Sequence, residues 1–222
     1  MRTGRFTLGV LALVLGTAAV GTLSQLDDAP AAQLLPPPAT PEQVVTSPQE
    51  QLEALEVKGK AGSGGYSRNQ FGADPTACGF RNAVLARHAQ YLALDDDNCT
   101  VTWGVIHDPY SGETIDFVRG DGQIEIDHVV SLSNAWHTGA FQWSPEKRQE
   151  FAHDLDNLIP TRTDLNQQKS GGDAATWLPP NKSFRCEFAS LQIRVKYKYG
   201  LWVAPAERDA LSRQLTLCPS TD

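Results

Sequence analysis

Apolar and polar positions follow three different regimes along the chain. From Phe6 to Leu23 the residues are apolar, small or neutral without one charge, and Arg2 and Arg5 precede them. A basic start followed by such a run reads as an export signal. Ala19-Val20-Gly21 offers a small-x-small cleavage pattern, and Ala29-Pro30-Ala31 a weaker one. The run is also just long enough to cross a bilayer, so a retained anchor over residues 6–23 is the alternative. Either way the remainder leaves the cytosol, because the positive end stays inside. Residues 24–65 lose all periodicity: Pro36-Pro37-Pro38 and three further prolines give way to the glycine-rich stretch 59–65. Stiff proline followed by flexible glycine reads as a tether. A short helix over Pro48–Val57 fits the pattern but has nothing evident to pack against.

Periodicity returns at residue 66, and 66–222 reads as one domain. Val84, Leu85, His88 and Leu92 at helical spacing predict a helix over Arg81–Tyr91. Val101–Ile106 and Thr114–Val118 read as a hairpin around Asp108-Pro109-Tyr110-Ser111-Gly112. Ile124 and Ile126 alternate with Glu125 and Asp127, a third strand. Ser144-Pro145-Glu146 is a cap, a proline and an acid in the order that opens a helix, here running to about Leu155. A short strand over Leu158–Thr161 leads into a helix from Thr163 to Lys169. Phe188, Leu191, Val195 and Tyr199 mark another helix, and Pro205 with Leu211 and Leu215 the last. Helices and strands mix without a βαβ rhythm, so the fold class is α+β.

The chain has 222 residues, 41% of them hydrophobic, and a formal net charge of −7. That excludes wholesale disorder and a protein that coats nucleic acid by bulk positive charge. A local basic face remains open: Lys182, Arg185, Arg194, Lys196 and Lys198 stand against Glu187 alone in 181–198. Arg194 and Lys198, four apart on one helix face, suit contact with a phosphate backbone, and a solvated helix face is the equal alternative. The four cysteines lie at 78, 99, 186 and 218, none in a C-x-x-C, so a zinc site is disfavoured. In an exported domain they pair. Three pairings are open, and local closure favours Cys78–Cys99 and Cys186–Cys218.

The chemistry concentrates in 124–170. Phosphodiester hydrolysis needs a base poised near neutrality and hard oxygen ligands for a divalent ion. Asp127-His128 at a strand end offers one of each, Asn157 opens the next strand, and Asn166 follows early in the next helix. Lys169 lies one turn beyond Asn166 on the same face, where it could reach a phosphate. Glu125 shares the strand face of Asp127, as an outer carboxylate or a solvated side chain. His137 and His153 read as packing or surface histidines, and Trp136, Trp143, Trp177 and Trp202 as core anchors.

The order strand, Asp-His, strand opened by Asn, helix with Asn-x-x-Lys resembles the HNH (His-Me finger) endonucleases. More closely, the stretches IDHVVSLSNAWHTGA, FAHDLDNLIP, NQQKSGGDAATWLPP and CEFASLQIRVKYKYGL look like the small secreted HNH nucleases of Gram-positive bacteria. The resemblance implies a ββα-metal core, with His128 as general base, Asn157 orienting it, and Asp127 and Asn166 holding one metal ion. Mg²⁺ is the first expectation and Mn²⁺ the second; no small-molecule cofactor is implied. Asn166 stands where histidine is commoner, and the 145–155 helix lengthens the connection between the two strands. The expected activity is cleavage of DNA with low sequence specificity by a monomeric protein, secreted or tethered to the outer face of the cell membrane. An RNA-preferring nuclease and a non-catalytic cell-envelope domain are the alternatives.

Overall fold

Helix α1 (Pro48–Ala54) starts where Ser47 and Glu50 cap each other reciprocally: the Glu50 amide donates to Ser47 Oγ and the Ser47 amide to Glu50. The computed structural model describes residues 47–62 and 64–218. The export segment and the proline-rich residues up to 46 lie outside the described residues. No described helix is long and apolar enough to cross a membrane.

After α1 come α2 (Phe80–His88), β1 (Ala89–Leu94), β2 (Val101–His107), β3 (Thr114–Val118), β4 (Ile124–His128), α3 (Leu132–His137) and α4 (Pro145–Ala152). Then follow β5 (Leu158–Arg162), α5 (Thr163–Lys169), α6 (Arg185–Tyr199) and α7 (Pro205–Leu215). The architecture is α+β. Strands β1, β2 and β3 form one antiparallel sheet in that order, and β4 pairs antiparallel with β5 in a second. In the second sheet His128 stands opposite Leu158, and Glu125 opposite Thr161. The strand at 124–128 therefore does not extend the hairpin, as a third strand following it would. It opens a separate β4–β5–α5 unit.

Helix α6 runs through the middle of the packing. Ala189 and Ile193 meet Leu52, Leu55, Val203 and Leu211, while Val195 and Tyr199 meet Phe71, Trp136 and Phe151. On the far side, Leu85 of α2 packs against Val101, Ile106 and Phe117 of the three-stranded sheet. Trp136 and Trp202 are core residues as expected, whereas Trp143 and Trp177 are half-buried and pack against core clusters.

Two sequence expectations are corrected. The helix at 48–54 does have something to pack against: Leu52 and Leu55 are buried beside α6 and α7. The stretch after it is also fastened, because the Val203 amide donates to Glu56, the Lys58 amide to Val203 and the Ala61 amide to His137. Lys60 pairs with Asp173 at 2.6 Å. Proline and glycine content alone hid this, since backbone hydrogen bonds leave no side-chain signature. Second, the helix expected to reach Tyr91 stops at His88, and residues 89–94 pair with β2 instead. The same alternation of Tyr91, Leu92 and Leu94 fits both periods over so short a stretch.

Both disulfides join the expected cysteines, Cys78–Cys99 and Cys186–Cys218. The first closes a loop of 21 positions that ties the start of α2 to the loop before β2. Replacing Cys78 and Cys99 together by serine is expected to lower the unfolding free energy by about 3 kcal/mol on the chain-entropy model. Urea unfolding of the oxidised proteins measures it; an unchanged midpoint would contradict a structural role for the bridge.

Candidate functional site

The β4–β5–α5 unit sets its polar side chains in two rungs between strand and helix. Glu125 and Asp127 point the same way from β4 because strand side chains alternate. Asn166 and Lys169, three apart on α5, share a helix face. The outer rung is Asn166 Nδ2 donating to Glu125 Oε2 at 2.7 Å. The inner rung is Lys169 Nζ against Asp127, 3.0 Å from Oδ1 and 2.8 Å from Oδ2, and the ammonium also donates to the His128 carbonyl at 2.7 Å. Tyr110 closes the inner rung, its hydroxyl donating to Asp127 Oδ2 at 2.6 Å. Burial lifts the Asp127 carboxyl above its ordinary pKa, opposed by the Lys169 charge and by hydrogen bonds from Lys169 and Tyr110. Burial and the Asp127 charge push the Tyr110 phenol well up, so it stays a donor.

His128 is held by the helix between the strands. Its Nε2 lies 2.8 Å from the Ala152 carbonyl, in the last turn of α4. Carbonyls there have no intrahelical partner. A carbonyl only accepts, so Nε2 carries the hydrogen and Nδ1 keeps the basic lone pair. Burial pushes the imidazole pKa down to about 3, with the Arg68 and Lys169 charges adding to the effect and the Ala152 hydrogen bond opposing it. The ring is thus a neutral base of fixed tautomer.

Asn157 works one step further back. Its Oδ1 accepts from the Val130 amide at 2.8 Å, its Nδ2 donates to the Val130 carbonyl at 3.1 Å, and its own carbonyl accepts from Val129. Gln192 of α6 adds a bond to the Val129 carbonyl. Asn157 therefore holds the backbone just after His128 and does not touch the imidazole.

These groups meet at a cleft of about 400 Å³ where Glu125, Asp127, His128 and Asn166 are joined by Tyr66, Arg68 and Gln167. Three other expectations need correcting here. Lys169 has a fully buried side chain spent on Asp127, so it is not a phosphate contact. Asp127 is neutralised by that ammonium, and a divalent ion on the same carboxylate would sit against a positive charge. Arg194 and Lys198 pair with Glu187 at 2.7 Å and Asp154 at 2.8 Å, and they line a different, larger groove of about 630 Å³ that shares no residue with the cleft. That groove is the roomier one, but it lacks the His128, Glu125 and Asn166 set, which lines the smaller cleft.

An ion of the kind the resemblance implies can be tested against the donors present. Among the described residues no three His, Cys, Asp or Glu side chains converge on one point. Glu125 and the Asn166 amide oxygen are hard oxygen donors on one cleft, and Mg²⁺ accepts one or two protein oxygens while keeping waters for the rest. These two donors would suit Mg²⁺, and the carboxylate would then be that of Glu125 in place of Asp127.

Sequence reasoning passed over Tyr110 and Arg68. Tyr110 sits in what reads as an ordinary Pro-Tyr-Ser-Gly turn; the signal was a large aromatic in a turn beside Asp108, which is itself buried and bonded to Thr161. Arg68 lay at the start of the domain, outside the motif.

No solved structure matches this chain. An uncharacterized secreted protein of Arthroderma benhamiae is 37% identical over 193 residues, covering 81% of this chain and 93% of that protein. The family model for the C-terminal domain of GmrSD restriction endonucleases matches residues 81–214, a stretch that runs from α2 to α7 and takes in every side chain of both rungs. With the cleft, its neutral histidine and this match together, the chain belongs to the family of GmrSD restriction endonuclease C-terminal domains.

Proposed function

We propose that the protein is an exported, Mg²⁺-dependent endonuclease that hydrolyses DNA with low sequence specificity, and that β4–β5–α5 is its ββα-metal core. Family membership points to a nuclease-type enzyme. The observation that carries the finer reading is the fixed tautomer of His128 beside the Glu125–Asn166 rung. His128 Nδ1 takes a proton from water as the water oxygen bonds to phosphorus and the bond from phosphorus to the 3′ oxygen breaks, that oxygen taking a proton from solvent and leaving as a 3′-hydroxyl beside a 5′-phosphate. The Ala152 carbonyl keeps the other nitrogen protonated, and Asn157 keeps the strand end in place. Glu125 and Asn166 would hold the ion, which supplies positive charge to the phosphate and the leaving oxygen. Export is supported by the Phe6–Leu23 pattern and by the secreted nature of the Arthroderma protein. Because that relative is fungal, the resemblance reaches beyond Gram-positive bacteria.

Incubating the full chain with supercoiled plasmid, in Mg²⁺, in Mn²⁺ and in EDTA, tests the reading. Nicked and linear products are expected with metal and none with EDTA; an intact plasmid under all conditions would refute it, and EDTA-resistant cleavage would remove the metal. Single-stranded RNA in parallel tests the nucleic-acid preference. Glu125→Gln is expected to raise the half-saturating Mg²⁺ concentration by about tenfold or more. An unchanged metal titration would return the ligand role to Asp127.

A further inference from the structure

We propose that Arg68 forms an anion subsite that seats the scissile phosphodiester beside His128; this rests on the nuclease reading above. The three cations that the sequence pattern offered for phosphate all have carboxylate partners: Lys169 with Asp127, Arg194 with Glu187, Lys198 with Asp154. Arg68 is the one Lys or Arg lining the cleft among the described residues. It is exposed, and its guanidinium makes no ion pair or hydrogen bond among the described residues. It also lines a second small cavity with His128 and Ala152, so it shares both cavities that His128 borders.

Its position is built, not incidental. Arg68 opens the 3₁₀ turn Arg68–Phe71, and Phe71 plugs into the core between Trp136 and Phe151. Gly72 follows with φ +76, where a β-carbon would press on Gln149. From α4, Arg148 Nε donates to the Gln70 carbonyl at 3.0 Å and Gln149 Nε2 to the Ala73 carbonyl at 2.8 Å. The helix that fixes the His128 tautomer therefore also fixes the strap that carries Arg68. An unpaired guanidinium held in this way, in a cleft whose other charged groups include Glu125, matches a bidentate phosphate ligand. The backbone phosphate is common to every sequence, which agrees with low specificity.

The test uses the full chain carrying His128→Ala, so that a labelled DNA duplex is bound without turnover, titrated across a range of NaCl concentrations. Adding Arg68→Ala is expected to weaken binding about ten- to hundredfold and to lower the log–log salt slope by about one. Arg68→Lys should keep the slope and lose part of the affinity. Arg213→Ala removes an equal charge from an exposed site outside the cleft and should change neither. Unchanged affinity and slope on Arg68→Ala, while the unmodified chain still cuts plasmid, would overturn the subsite alone. A slope that falls only with Arg194→Ala and Lys198→Ala would overturn it in favour of α6. An unmodified chain that neither binds nor cuts duplex would remove the nuclease reading and the subsite with it. Thermal unfolding of each variant separates lost contact from lost fold.

Discussion

His128→Ala is expected to reduce plasmid cleavage by about 10²–10⁴ while leaving Mg²⁺ and DNA binding near normal. The imidazole is the one base in the cleft with a fixed tautomer, and alanine removes the proton acceptor without touching Glu125 or Asn166. Its pH behaviour gives a second readout. An ordinary histidine loses its lone pair as pH falls through about 6.5. Here burial depresses the folded-state pKa to about 3, so the ring stays neutral across the whole range above that, as a weaker base than a free imidazole. The expected kcat/KM profile of the free enzyme therefore shows no acid inflection near 6.5. A clear inflection there, lost in a His128 variant, would mean that the ring is solvated in solution and that Ala152 does not hold it. Full activity in His128→Ala would end the assignment of this cleft.

Much of the β4–β5–α5 unit was readable because its signals are local. The strand over Ile124–His128, the strand over Leu158–Thr161 and the helix over Thr163–Lys169 each carry their own periodicity or cap, and the structure places them within a residue of those bounds. Family resemblance then put His128, Asn157 and Asn166 together, and the structure gathers all three around β4 and β5. What the sequence misassigned were partnerships. Asp127 and Lys169 are separated by 42 positions; each alone reads as a functional charge, and only their contact shows that they spend their charges on each other. The same holds for Arg194 and Lys198, whose carboxylate partners lie on their own helix or after α4. Charge counts along one helix cannot reveal neutralisation across a fold. Arg68 and the 56–61 segment failed to register for the opposite reason: their importance comes from where backbone bonds and Phe71 place them, not from any unusual residue type.

The buried pair supplies the other large effect. Lys169→Met is expected to lower stability by about 3–5 kcal/mol, because removing one partner leaves a buried carboxylate without its counter-charge. Asp127 would keep the Tyr110 hydroxyl and the His128 amide but no charged partner, and the His128 carbonyl would lose its 2.7 Å donor. Asp127→Asn together with Lys169→Met removes both charges and should recover part of that loss, giving a coupling energy well outside simple additivity. A phosphate-binding Lys169 makes the contrary forecast. Lys169→Met would then leave urea unfolding unchanged, weaken DNA binding and lower the salt slope by about one. The two outcomes are measured on the same four proteins, the unmodified chain, the two single variants and the double variant, by equilibrium unfolding and by duplex titration across salt. Intact stability with a reduced slope would reopen the inner rung, free Asp127 as the metal carboxylate, and move the phosphate contact away from Arg68.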